Sequence, residues 1–147
     1  MMATSTEATT QPGNLTRSTL AILAGFFAVA GLSLATDQVL HTLQVYPPWG
    51  EPMIGTGLYL LALSYRLVYT VLGGYLTARL SPRSPMRHVT VLGLIGLIAG
   101  TAGAIVTITR GDFGPNWYPI AIAVTAYPCT WLGGALFPEG RKANDLR

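Results

Sequence analysis

The sequence predicts an all-α protein, a four-helix bundle crossing a membrane. Three observations predict it. Four long stretches carry almost no charge: Ser18 to Thr36, His88 to Thr109 and Phe113 to Pro138 have none (counting His88 as neutral), and Pro52 to Ala78 has only Arg66. Each approaches or exceeds the ~20 residues a helix needs to cross the hydrocarbon. Composition agrees, with 10% charged and 50% hydrophobic residues in 147 and a mean hydropathy of +0.45, whereas soluble domains are about 25% charged. The third observation is where the cations sit. Arg17, Arg79, Arg83, Arg87, Arg141, Lys142 and Arg147 fall in the tails and the second loop, whereas the first and third loops hold Arg110 beside Asp37, Glu51 and Asp112. The positive-inside rule then places both termini in the cytoplasm.

Residues 1–17, MMATSTEATTQPGNLTR, are rich in Thr and Ser and poor in apolar side chains, so they read as a mobile tail. The first helix follows at 18–42. Ser33-Leu34-Ala35 resembles the small-x-small site at which a signal peptide is cut. The long, weakly basic tail before it and the length of the apolar segment favour a retained helix. The second helix spans 54–80, after YPPWGEP (46–52). Pro82 and Pro85 in ARLSPRSPMRH (78–88) stop it, because proline cannot continue the backbone ladder. The third helix spans 88–109 and the fourth 117–137, leaving 139–147 as a cytoplasmic tail. Seventeen glycines and ten prolines suit membrane helices, where neighbouring helices and hydroxyls satisfy freed backbone groups.

An internal echo runs through the chain. TVLGGYL (70–76) and TWLGGAL (130–136) share T-x-L-G-G-x-L, and YPPWGEP and FGPNWYP (113–119) precede them in the same order. Two helical hairpins in one orientation, related by an axis along the membrane normal, would produce it. Glycine has a packing use in either case, since membrane helices associate by close backbone approach. Gly25, Gly73, Gly96, Gly100 and Gly133 are the expected contact points, with Gly93, Gly103 and Ala104 extending the G-x-x-x-G of the third helix.

Arg66 carries the main question, because hydrocarbon does not tolerate an unpaired guanidinium. It lies thirteen residues before Arg79, about 20 Å along a helix and past the midplane of a ~30 Å core. Asp37 lies twenty residues past Arg17 on the first helix, about 10 Å further out by the same rise, and side chains leaning toward their helix N-termini narrow that gap. An Asp37–Arg66 ion pair is therefore expected, with His41 or Glu51 as the alternative partner. Helical spacing adds His41, Tyr69 and Thr70 to one polar cluster, on a stripe with Tyr59, Gly73 and Thr77. One polar arginine without a repeat counterpart (Ala126 lies sixty residues on) suggests a dry, structural pair. Trp49, Trp117 and Tyr118 read as an outer aromatic belt, and Arg79, Arg83 and Arg87 as contacts to anionic lipid headgroups.

Several classes fall away. One cysteine, Cys129, supplies neither a disulfide nor a CxxC pair. His41 and His88 are expected on opposite sides of the membrane, so they cannot jointly hold a haem, and no phosphate-binding loop, HExxH or GxSxG motif occurs. No metal, cofactor or nucleic acid is implied. The residues point to a non-enzymatic membrane protein in a homo-oligomer or larger complex, or to a small transporter using Arg66. GGYLTARLSPRSPMRHVTVLG (73–93) resembles a pattern in small four-helix proteins of the bacterial inner membrane. The resemblance covers about a seventh of the chain and implies that location, with no activity attached.

Overall fold

The computed structural model describes residues 12–111 and 114–138. Four helices form it: α1 Pro12–Thr42, α2 Thr56–Leu80, α3 Pro85–Arg110 and α4 Trp117–Ala135, with no strand among the described residues. Most of the N-terminal tail, Asp112, Phe113 and the C-terminal tail with Arg141, Lys142 and Arg147 lie outside the described residues.

Local chemistry sets the helix ends. α1 begins at Pro12, six residues earlier than the sequence suggests, because a proline at the first helical position already has helical φ and lacks only an N–H that would be unbonded anyway. Pro85 likewise opens α3 three residues early. α2 starts at Thr56 because Gly55 holds φ 96°, outside the helical region. Gly111, at φ 73°, closes α3 by donating its N–H to the Thr107 carbonyl at 3.2 Å.

Three of the helices are long and apolar enough to cross a membrane: Leu15–Thr42, Thr56–Leu80 and Pro85–Arg110. α4 is not among them, although the sequence predicts four spans. Its 19 residues give about 28 Å, close to a hydrocarbon core, but two tryptophans, two tyrosines and two prolines dilute its aliphatic content. The bundle is inverted relative to a soluble protein. Its most buried residues are small, with Ala62 and Ala78 at 0% exposure, while Ile98 (69%) and Phe27 (64%) point outward. Large aliphatics on the outside and small residues at the seams are what a lipid solvent selects.

α2 sits at the centre and touches the other three helices; α1 leans on α2 and only lightly on α3. Two ridges of i+4 spacing make the α1–α2 seam. Ala21, Gly25, Val29, Ser33 and Asp37 form one, and Tyr65, Tyr69, Gly73 and Thr77 the other. Along it Thr77 donates to the Ala21 carbonyl at 3.2 Å, Gly25 abuts Gly73, and Thr36 bonds Tyr69 at 2.8 Å. These pairs run in opposite order, so α1 and α2 are antiparallel.

The α2–α4 seam runs the other way. Tyr59 meets Tyr118, Gly74 meets Thr130, and Tyr75 meets Phe137, so these two helices are parallel, as two hairpins in one orientation require. Each Gly-Gly pair splits its duties. Gly73 faces α1 and Gly74 faces α4, whereas Gly133 faces α2 and Gly134 faces α3. Val29 opposite Gly73 and Val89 opposite Gly134 are themselves sixty residues apart. The α3 glycines pack on α4, with Gly93 against Tyr127, Gly96 against Ala126 and Gly100 against Ala123. Gly103 departs from the expected series and has open space where a Cβ would stand.

This arrangement separates the glycines by experiment. A Cβ at Gly133 would run into the Val71 carbonyl and the Tyr75 amide, so Gly133→Ala should cost about 1–3 kcal/mol. Gly103→Ala should leave stability unchanged or raise it by up to about 1 kcal/mol. Unfolding of the purified protein in detergent, followed by near-UV circular dichroism, reads both; equal effects would contradict the seam described.

Candidate functional site

The ion pair forms at the end of the bundle carrying the first and third loops. Arg66 Nη2 donates to Asp37 Oδ2 at 2.6 Å, with the side chains 25% and 11% exposed. Asp37 ends the buried ridge of α1, and Arg66 lies one position beside the facing ridge of α2. That offset matters. It places the α1 carboxylate between Arg66 and the residue before it, Tyr65.

Tyr65 completes the site. Its hydroxyl donates to Asp37 Oδ1 and accepts from Arg66 Nη1 at 2.9 Å. A phenol has one proton, and Tyr65 gives it to the carboxylate, so Tyr46 must be the donor in the 3.3 Å contact between the two hydroxyls. Tyr46 lies between α1 and α2, and burial pushes its phenol above the ordinary value, which keeps that donor proton in place. Arg66 also donates to the Ala62 carbonyl at 3.2 Å, and its guanidinium carbon lies 5.1 Å from the centre of the Tyr65 ring.

The cluster expected from helical spacing divides. Tyr69 bonds Thr36 and not the ion pair, because it sits on the ridge pressed against α1. Thr70 turns back to the Arg66 carbonyl at 2.7 Å, and its counterpart Thr130 does the same to the Ala126 carbonyl at 2.7 Å. His41 stays near the pair but bonds the Pro47 carbonyl at 2.5 Å through Nδ1. A carbonyl only accepts, so Nδ1 carries the proton. The imidazole lies 4.0 Å from the Trp49 ring and 5.4 Å from Tyr46.

The pair borders open space, whereas the lone arginine suggests close packing. Asp37, His41, Tyr46, Trp49, Tyr59, Arg66 and Tyr118 line a cavity of about 380 Å³, closed on the far side by Gly103, Ala104 and Thr107 of α3. It exists because α1 barely reaches α3 and because the α3 wall here is built of small residues. Tyr118 forms part of the cavity wall, its ring 5.3 Å from that of Tyr59. Trp49 stands at the rim, 62% exposed, and Trp117 lies outside Tyr59 and Tyr118 at 6.4 and 5.9 Å. The third loop allows this close fit through Gly114 (φ 99°), whose missing Cβ makes room for the Tyr59 hydroxyl.

Of the five N–H bonds of a guanidinium, Arg66 spends three on Asp37, Tyr65 and the Ala62 carbonyl. Among the described residues the other two have no acceptor, and Arg66 lines a cavity walled with aromatic rings. Among the described residues no group of three His, Cys, Asp or Glu stands close enough to hold a metal ion. At the other end of the bundle Arg17, Arg79, Arg83 and Arg87 are exposed, and none makes an ion pair among the described residues.

Tyr65 and Tyr46 are the site residues that sequence reasoning missed. For Tyr65 a signal existed, since 65, 69, 73 and 77 form an i+4 series on which the neighbouring helix can ride. Tyr46 lies in a loop, where periodicity carries no information. No family model, curated protein or solved structure matches this chain.

Removing one partner strands a charge inside the bundle. Asp37→Asn and Arg66→Gln should each destabilise by about 3–5 kcal/mol, and the double variant by clearly less than their sum. Tyr65→Phe should cost about 1–3 kcal/mol by leaving Asp37, Arg66 and Tyr46 each short of a hydrogen bond. Denaturant unfolding in detergent measures all four; strict additivity of the charge changes would refute the pairing.

Proposed function

We propose that this chain is a non-catalytic, multi-pass membrane protein that binds a small molecule in the cavity beside Arg66. One observation carries the reading: an arginine neutralised by Asp37 makes three of its five N–H bonds among the described residues and lines a cavity of about 380 Å³. Clefts of roughly 300–1,000 Å³ with apolar walls and a few fixed polar groups are the usual form of a small-molecule site. Catalysis has less support. Asp37 has both carboxylate oxygens occupied by Tyr65 and Arg66, which leaves it poorly placed as a general base.

Charge distribution supports an orientation for the site. Arg17, Arg79, Arg83 and Arg87 cluster at the end opposite the cavity. By the positive-inside rule that end is cytoplasmic, and the cavity opens outward. The resemblance of residues 73–93 to small bacterial proteins suggests the inner membrane, with Arg79, Arg83 and Arg87 at anionic headgroups. The apolar outer faces of α1 and α3 leave room for a second copy or a larger complex.

A conducting pore is less favoured, because the cytoplasmic half of the bundle is closed by Ala21, Gly25, Gly73, Thr77, Ala78, Val89 and Gly134, all buried. Two experiments test the reading. In a background with Cys129→Ser, Glu51→Cys and Thr107→Cys should react with a membrane-impermeant thiol reagent added outside intact cells. Arg83→Cys should react only after permeabilisation, and the reverse pattern would overturn the orientation. Proteoliposomes should show no anion flux that depends on Arg66; flux abolished by Arg66→Gln in a folded protein would replace binding with transport.

A further inference from the structure

A second cavity of about 220 Å³ lies between α1 and the α3–α4 hairpin, lined by Phe26, Val29, Ala30, Thr70, Gly96 and Ala99 among others. It is apolar in effect, because both of its threonines, Thr70 and Thr130, have turned their hydroxyls back to their own helices. Gly100 and Ile122 line both this cavity and the one beside Arg66. The two therefore follow one another down the bundle, polar at the loop end and apolar toward the middle. From His41 to Phe26 along α1 is fifteen residues, or about 22 Å. The weak α1–α3 contact leaves the groove open sideways, toward what would be the bilayer.

We infer that the ligand of this site is an amphiphile taken from the membrane, with an uncharged, planar, carbonyl-bearing ring as its head and an apolar chain as its tail. The inference rests on the binding reading above and names the chemistry of its occupant. The head follows from charge and shape. Asp37 already neutralises Arg66, so an added anion would leave the site with an uncompensated negative charge in a medium of low dielectric. A neutral carbonyl takes the two free N–H bonds without that cost, and His41, Trp49, Tyr59 and Tyr118 offer flat surfaces to a ring. The tail follows from the second cavity, which has no free donor to offer and runs along α3 from Gly100 to Leu92, about 12 Å, the reach of a short alkyl chain. A membrane quinone has this chemistry.

The test uses the full chain in detergent with Trp117→Phe and Trp131→Phe, so that Trp49 at the cavity rim is the only reporter. Probes are a decyl-substituted benzoquinone, the same ring without its chain, and a short-chain phosphatidylglycerol. The decyl quinone should quench Trp49 saturably. Ala30→Leu, which fills the second cavity from α1, should weaken that probe by about tenfold, equivalent to about 1.4 kcal/mol, and leave the chainless ring unchanged. If Ala30→Leu affects neither quinone while both bind, the tail assignment is overturned and the binding reading stands. If only the phosphatidylglycerol binds, the head assignment is overturned. If no probe binds while Thr107→Cys is still modified from outside, the occupant is of another class and the inference fails alone. Loss of that modification as well would count against the binding cavity itself.

Discussion

Close backbone approach at two Gly-Gly pairs is the constraint on which the rest of the bundle depends. Membrane helices gain little from hiding apolar surface, since the surrounding lipid is equally apolar, and association must come from contact. Gly73 and Gly74 let α2 touch α1 and α4 at one level, and Gly133 and Gly134 let α4 touch α2 and α3. Every helix is thus tied to another through a pair whose side chains are single hydrogens. Large aliphatics are then free to face outward, which accounts for an exterior of Leu, Ile, Val and Phe around a core of Ala, Gly and Thr.

The same close packing at the end that carries the second loop opens the other end. α1 follows α2 along the 21-25-29-33-37 ridge and scarcely touches α3. A space between α1 and α3 results, and the protein furnishes its walls with small residues on α3 and aromatic rings from the first loop, α2 and α4. Arg66 is held at this opening by Asp37 and Tyr65. The pair is therefore both a fastener between α1 and α2 and the polar end of a groove, and the two roles do not compete, because different N–H bonds serve each.

The hairpins share their contacts without sharing their chemistry. Thr70 and Thr130 make the same turn back to the helix, and Val29 and Val89, sixty residues apart, each cover a glycine of a Gly-Gly pair. Yet Ala126 stands where Arg66 would repeat, and it packs against Gly96. One hairpin closes tightly with its small residues, and the other carries the charge. An asymmetric site at the boundary between two similar halves follows directly.

Much of this was legible in the linear chain. Runs with almost no charge mark the four helices, three of which are long and apolar enough to span hydrocarbon, because burying an unpaired charge there is so costly. Two of the ion-pair residues were also legible, since Arg66 needs a partner and depth along a helix is proportional to residue count. What the chain could not settle was the rotation of each helix about its axis. A stripe read outward from Arg66 collects Tyr69 and Thr70, whereas the seam that forms uses Tyr65 and Tyr69 and leaves Arg66 at its edge. That choice depends on where Gly25 meets Gly73, a contact between residues 48 positions apart. The cavity has the same origin. It is a gap left by the relative placement of three helices, and no residue encodes it alone; only the tertiary structure decided that the lone arginine would border open space.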